Sequence, residues 1–336
     1  MKLRHAIVAA ICGSALVLAA APGAQAHVAR NATADTVPAF GNVFEIIGEN
    51  TTFGELTKGS APYVRETLAP KSAELSTYFA TTHNSTANYV ALTSGQYKFC
   101  EQEDDHPDIC HQSVDNLFSQ LDAAGVSWHE WMESANRTCD IGNHGSDPGL
   151  NEYRVKHNPA VYYGRVEGAG HHWSATDPSP ECLANVVPAG GTGPNDTSVL
   201  DSALASGDVP RFNLIVPNMC EDSHDNCPPF GAGNRRVNQF DQFLAREVPK
   251  IESSPAFTSN SVILVLWDEA DAEGLSGDPQ YGGGNVMWLM ESPLVQPGIY
   301  SGLTNHYSTL QMLEDGYGLP HIAGAVSANP IPAIWK

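Results

Sequence analysis

Three apolar runs, each ending in a cluster of acids or amides, set the pattern of this chain. Val43-Phe44-Glu45-Ile46-Ile47 leads into Gly48-Glu49-Asn50. Phe212-Asn213-Leu214-Ile215-Val216 leads into Pro217-Asn218 and then Asp222, His224 and Asp225. Val262 to Trp267 leads into Asp268-Glu269. Short runs of this kind read as strands buried on both faces. Helical patterns lie between them: Val114 to Ala124 before Gly125, Val237 to Ile251 with a Pro249-Lys250 kink near its end, and His306 to Tyr317 before Gly318-Leu319-Pro320. A shorter helix is predicted behind Asn84-Ser85-Thr86, with Tyr89, Val90 and Leu92 as its apolar face and Gly95 as its stop. Strands alternating with helices predict an α/β fold with a mainly parallel sheet covered by helices on both faces. Residues 164–207, rich in Gly, Pro, Ser and Asp, read as a long excursion whose function is not legible.

The chain opens with Lys2 and Arg4, an apolar run from Ala6 to Ala21, and Ala24-Gln25-Ala26, the layout of a secretory signal peptide over residues 1–26. Residues 27–336 are then expected to be a single exported catalytic domain, with no linker or internal repeat to divide it. No later run has the length of a membrane span, so no stable membrane anchor is expected. Cys100, Cys110, Cys139, Cys182, Cys220 and Cys227 remain after cleavage. An even count in an exported chain points to disulfides. Proximity favours Cys100–Cys110 and Cys220–Cys227, which leaves Cys139–Cys182. The net charge of −21, with 17 Lys and Arg against 38 Asp and Glu, excludes a nucleic-acid surface, which needs a basic patch. The sequons at Asn31, Asn50, Asn84, Asn136 and Asn195 read as incidental, since two fall inside the chemical motifs.

Ligands of an open α/β sheet bind at the carboxyl ends of its strands, where the acids and histidines of this chain gather. Glu49-Asn50 and Asp268-Glu269 offer hard oxygen ligands that suit a divalent cation, Mg, Ca or Mn rather than a softer metal. Ser85 has two readings. It is either a helix cap or a nucleophile placed where a helix N-terminus welcomes an anion. A cation beside that hydroxyl would lower its pKa, so the set fits phosphoryl transfer through a serine. Other pieces stay open in the same way. Asp222 to Asp225 is a functional loop or a tight turn stapled by Cys220 and Cys227. Arg235-Arg236 is a phosphate clamp or a surface pair. His171-His172 reads as an exposed loop pair rather than a metal site.

Seven segments then occur in a fixed order: FEIIGENTTF, THNSTANYVALTSG, Gly125 to Glu130 with Trp128, KHNPAVYY, LIVPNMCEDSHD, LVLWDEADAEG and NHYSTLQMLEDGYGLP. In this order the chain resembles the phosphoesterase family that joins bacterial phospholipases C with secreted acid phosphatases, in particular short actinobacterial acid phosphatases of the phosphatidylinositol-3-phosphatase-like branch. The match spans residues 40–335. The resemblance implies an alkaline-phosphatase-like fold and a metal-assisted serine nucleophile. Position by position, it implies metal ligation by Glu49, Asn50, Ser85, Asp268 and Glu269, and catalytic roles for Ser85, Asn88, His157, His224 and His306. Asp222 and Asp225 flank the second of these histidines, and Asp241 matches an acidic position on the following helix. The chain departs from the family at Thr51-Thr52 and at the Asn-Ser step before the nucleophile; neither change removes a ligand. The expectation is a secreted, monomeric phosphomonoesterase acting on small-molecule or lipid phosphate esters, phosphoinositides among them. One of the three histidines would protonate the leaving group, which favours an acidic to neutral optimum. The alternative is a phospholipase C-type phosphodiesterase, whose longer relatives carry an added C-terminal region.

Overall fold

The computed structural model describes residues 36–97, 106–167, 178–227, 235–271 and 281–336. The signal-peptide segment, His171-His172 and Cys100 lie outside the described residues. The strands are β1 (Val43–Gly48), β2 (Ala73–Leu75), β3 (Tyr78–Phe79), β4 (Trp128–Met132), β5 (Val186–Pro188), β6 (Phe212–Val216), β7 (Val262–Trp267), β8 (Asn285–Val286), β9 (Trp288–Glu291), β10 (Gly298–Tyr300) and β11 (Thr304–Asn305). The helices are α1 (Ser85–Ser94), α2 (Leu117–Ala123), α3 (Gly164–Glu167), α4 (Pro180–Asn185), α5 (Ser198–Ser206), α6 (Arg235–Ser253) and α7 (His306–Tyr317).

Eight strands form one sheet in the order β10-β2-β9-β7-β1-β6-β4-β5, and β11-β3-β8 form a small second sheet. In the large sheet only β9 runs antiparallel to its neighbours, β2 and β7. The mainly parallel α/β architecture is therefore the one expected. The three apolar runs lie side by side at its centre, β1 between β7 and β6, all parallel and buried along their whole length. Three parallel neighbours end at one edge, and that edge is where Glu49, Asp222 and Asp268 emerge.

Local chemistry explains the helix limits. Asn305 Oδ1 accepts from the backbone N–H of Tyr307 and Ser308 while Ser308 Oγ accepts from Asn305 N–H, so α7 starts on a capping box. It stops at Gly318, whose φ of 70° is left-handed. Asn116 caps α2 in the same way, which is why that helix starts three residues later than the apolar pattern began. Pro249 lies inside α6 without ending it, and the helix runs on to Ser253. Gly48, the last residue of β1, has no alternative: a Cβ there would stand 2.3 Å from the Phe240 ring and 2.7 Å from the Trp267 indole nitrogen. The excursion at 164–207 turns out to supply the edge strand β5 and the helices α3, α4 and α5. Disulfides join Cys139 to Cys182 and Cys220 to Cys227, two of the expected pairs.

Candidate active site

The turn before α1 fixes the candidate nucleophile. Asn88, one turn into the helix, reaches back: its Oδ1 accepts from the backbone N–H of Thr81 and Thr82 at 3.2 and 3.1 Å, and its Nδ2 donates to the Thr82 carbonyl at 2.7 Å. Asn84 takes a φ of 82°, costly for a residue with a side chain, and makes no side-chain cap. Ser85 thus becomes the first residue of the helix rather than its cap. Its hydroxyl is buried and donates to Glu49 Oε2 at 3.0 Å. The helix N-terminus beside it presents backbone N–H groups that have no partner within the helix, and the positive end of the dipole.

Opposite Ser85, the strand ends are stitched together by backbone. Glu49 N–H donates to the Asp222 carbonyl at 2.6 Å, Asp268 N–H to the Gly48 carbonyl at 2.9 Å, and Thr51 N–H to the Glu269 carbonyl at 3.0 Å. Four buried side-chain atoms there have no hydrogen bond: Glu49 Oε1, His157 Nε2, Asp222 Oδ2 and Asp268 Oδ2. His157 stands between two of the acids, with Nε2 3.2 Å from Glu49 Oε1 and Nδ1 3.2 Å from Asp222 Oδ2. Its ring lies flat on Tyr89, 5.4 Å between centroids. Burial raises Glu49, Asp222 and Asp268 well above the usual carboxylate range; Asp268 and Asp222 raise Glu49 further, and Glu269 raises Asp268. Burial, with Lys156 and His224 adding repulsion, pushes His157 well below its ordinary value. Three crowded carboxylates and a neutral imidazole, each with one side-chain atom left without a hydrogen bond, are a donor set that a divalent cation would satisfy. Glu49, His157 and Asp222 offer ligand atoms within 4.8 Å of one another. The imidazole widens the choice of metal beyond the oxygen-only set read from sequence.

The other expected residues reach the same place with different contacts. Asn50 enters through its backbone, N–H donating to Asp268 Oδ1 at 3.2 Å and carbonyl accepting from Arg236. Glu269 Oε2 is occupied by His83 Nδ1 at 2.7 Å and by Asn84 N–H at 3.1 Å. His306 is wholly buried; Nε2 lies 2.6 Å from the Asp268 carbonyl and Nδ1 2.9 Å from the Tyr78 hydroxyl, and burial lowers its pKa to about 4. His224 Nδ1 meets Asp225 at 2.7 Å and Nε2 meets Lys156 Nζ at 3.1 Å. Asp241 bonds the backbone N–H of Tyr63 and Val64, away from the acid cluster. Of the arginine doublet, Arg235 is exposed, in keeping with the surface reading, while Arg236 departs from it. It is buried and holds the Asn50 and Ser223 carbonyls together with Glu55 and Asp271, so it clamps protein loops. Lys156 and His83 were not singled out from sequence, although both lie inside quoted motifs, Lys156 immediately before His157 and His83 two residues before Ser85.

Comparison with known proteins bears on family and fold. The model of the Phosphoesterase family matches residues 42–320. The chain is 28% identical over 327 residues to the phosphatidylinositol-3-phosphatase of Mycobacterium tuberculosis, covering 96% of this chain and 91% of that protein. It is 26% identical over 291 residues to a probable acid phosphatase of Kluyveromyces lactis, covering 84% of this chain and 60% of that one. The phosphate-repressible acid phosphatase of Penicillium chrysogenum is 28% identical over 263 residues, 76% of this chain and 54% of its own length. The chain thus spans little more than half of these two fungal proteins. In fold it is similar to a protein of the alkaline phosphatase superfamily from Vibrio parahaemolyticus, with a TM-score of 0.54, 11% identity, and coverage of 87% of this chain and 71% of that one. It is also similar to the phosphonate monoester hydrolase of Agrobacterium radiobacter, with a TM-score of 0.53, 13% identity, and coverage of 88% and 79%. With its sheet of the alkaline phosphatase type and a family match that runs from β1 past α7, the chain belongs to the phosphoesterase family.

Proposed function

We propose that this phosphoric monoester hydrolase works through Ser85 as nucleophile, with Glu49 as the base that receives its proton. The observation that carries the reading is the hydrogen bond from Ser85 Oγ to Glu49 Oε2, made at a helix N-terminus beside a buried acid and histidine cluster. As Oγ bonds to phosphorus, its proton passes to Oε2, the oxygen to which the hydroxyl already donates. The N–H groups of α1 hold the phosphoryl oxygens, and Lys156 lends a point charge at the same wall. A divalent cation held by Glu49, His157, Asp222 and Asp268 would supply further charge against those oxygens. In the second half of the cycle, water attacks the phosphoserine and Glu49 returns the proton to Oγ.

The substrate reading follows the relatives. Monoesters are expected, with phosphoinositides the first lipid class to screen because of the name that the mycobacterial relative carries. Export is part of the proposal. It rests on the leader pattern of residues 1–26 and on two disulfides, which persist in oxidising compartments. Among the described residues no helix is long and apolar enough to cross a membrane. The test is hydrolysis of an aryl phosphate by the chain from residue 27 and by Ser85→Ala, with and without exhaustive chelation. A loss of several orders of magnitude is expected, and a mutant that keeps its rate overturns the mechanism.

A further inference from the structure

The helix that carries Ser85 carries a second group toward the same acids. Tyr89 stands four residues on, one turn behind Ser85 and on the same face of α1. It is wholly buried, and its ring lies on the His157 imidazole with 17° between the planes. That stack sets the phenol among the acids, because His157 Nε2 is 3.2 Å from Glu49 Oε1. The Tyr89 hydroxyl has no hydrogen bond, and neither has Glu49 Oε1. Phenylalanine would make the same stack without taking a hydroxyl out of water, and a buried donor left unpaired costs stability. The stack therefore does not account for the oxygen.

The charges around the phenol point the same way. Burial first, then Glu49, Asp268 and Asp222, raise it well above its ordinary value, so it faces the carboxylates as a donor that keeps its proton. At Glu49, Lys156 and Tyr89 oppose the general rise, the first as a charge and the second as a hydrogen-bond donor.

We infer that Tyr89 is a positioning residue for the cation site, its hydroxyl donating to the Glu49 carboxylate and holding the plane of that group. The inference rests on the cation part of the proposed mechanism. Glu49 has two tasks there. Its Oε2 accepts from Ser85 Oγ at 3.0 Å, while Oε1, beside His157, belongs with the ligand atoms. A carboxylate free to turn about its own bond would exchange the two oxygens between these tasks. Each oxygen accepts two partners, so a donor from α1 can fix the plane without displacing either Ser85 or a cation. Tyr89 thus acts through Glu49, as the outer hydrogen-bond partners of metal ligands do in general.

The experiment measures binding of the metal alone to the full chain after exhaustive chelation, by isothermal titration calorimetry with Mn²⁺ and, separately, with Zn²⁺. Tyr89→Phe keeps the ring and loses only the hydroxyl. Its Kd should be weaker by about 10- to 100-fold, the usual cost of removing a hydrogen-bond partner of a metal ligand. Its urea midpoint without metal should equal or exceed that of wild type, because the variant no longer buries an unpaired hydroxyl. An unchanged Kd would overturn the inference and leave the cation reading standing. So would a weaker Kd that comes with a lower metal-free midpoint, which would mark a general loosening of α1 rather than a lost positioning contact. If wild type binds neither metal, the cation reading itself has failed, and the inference falls with it.

Discussion

Arg236 offers a sharp test because a phosphate clamp and a loop clamp respond differently to truncation. Its guanidinium donates to the Asn50 carbonyl, to the Ser223 carbonyl at 2.9 Å and weakly to Thr51 Oγ1 at 3.4 Å, and pairs with Glu55 and Asp271. Only 8% of the residue is exposed. Hydrogen bonds from a charged donor contribute about 1.5–3 kcal/mol each, and breaking a buried charged network by removing one partner costs about 3–5 kcal/mol. Asp271 is half exposed and Glu55 a quarter exposed, so solvent takes up part of that loss. For Arg236→Ala the figure is therefore about 3 kcal/mol, the lower end of the range. Urea unfolding followed by circular dichroism would measure it. Inhibition by inorganic phosphate would show whether anion binding changes. The Asn50 and Ser223 loops carry the acid cluster, so kcat should fall as well, and Arg236→Lys should recover little because an ammonium cannot span both carbonyls. A tenfold weaker phosphate inhibition, about 1.4 kcal/mol, with unfolding unchanged, would refute the loop clamp and restore the phosphate reading.

Glu45, in the middle of β1, is buried with Oε1 unpartnered, and burial raises its pKa to about 8 from 4.5. The folded chain keeps this proton where the unfolded chain loses it, so stability is full below about pH 4.5 and falls as pH rises toward 8. Glu45→Gln, neutral throughout, should be more stable than wild type by about 3 kcal/mol at pH 7 and converge with it at low pH; parallel urea midpoints across pH would refute this. In the acid cluster, a divalent cation added to chelated Ser85→Ala should raise thermal stability by about 2.7 kcal/mol at a hundredfold excess over Kd, independently of turnover. Asp222→Asn should lose that shift, and an unchanged shift would remove Asp222 from the ligand set.

The parts of this fold that could be read from sequence are those where burial is two-sided. β1, β6 and β7 lie at the centre of a parallel sheet, so their apolar runs need no alternation, and their limits match the observed strands closely. β4, with the sequence Trp-His-Glu-Trp-Met, gives no such run. Glu130 is buried because it accepts from Ala160 N–H, a contact that arises only in the fold. The short strands β2, β5, β9 and β10 hold three or four residues each, too few for any period to show. The site divides along the same line. Glu49 and Asp268 were legible because they follow buried runs directly, whereas the use of Asp222 and His157 in the cluster depends on how two loops fold over the strand ends. Left-handed backbone at Asn50, Asn84 and Ser223, with φ of 42°, 82° and 85°, aims those loops, and only Asn among these residue types favours that region. The two histidine motifs show the limit of reading by type alone. His306 matched a family position yet is saturated by a carbonyl and a tyrosine, while His83, two residues from Ser85, meets Glu269 from the loop after β7, 186 positions away. A histidine's role is set by what its two nitrogens face. That pairing is decided by long-range contacts, so spacing along the chain can nominate the ring but cannot assign its proton.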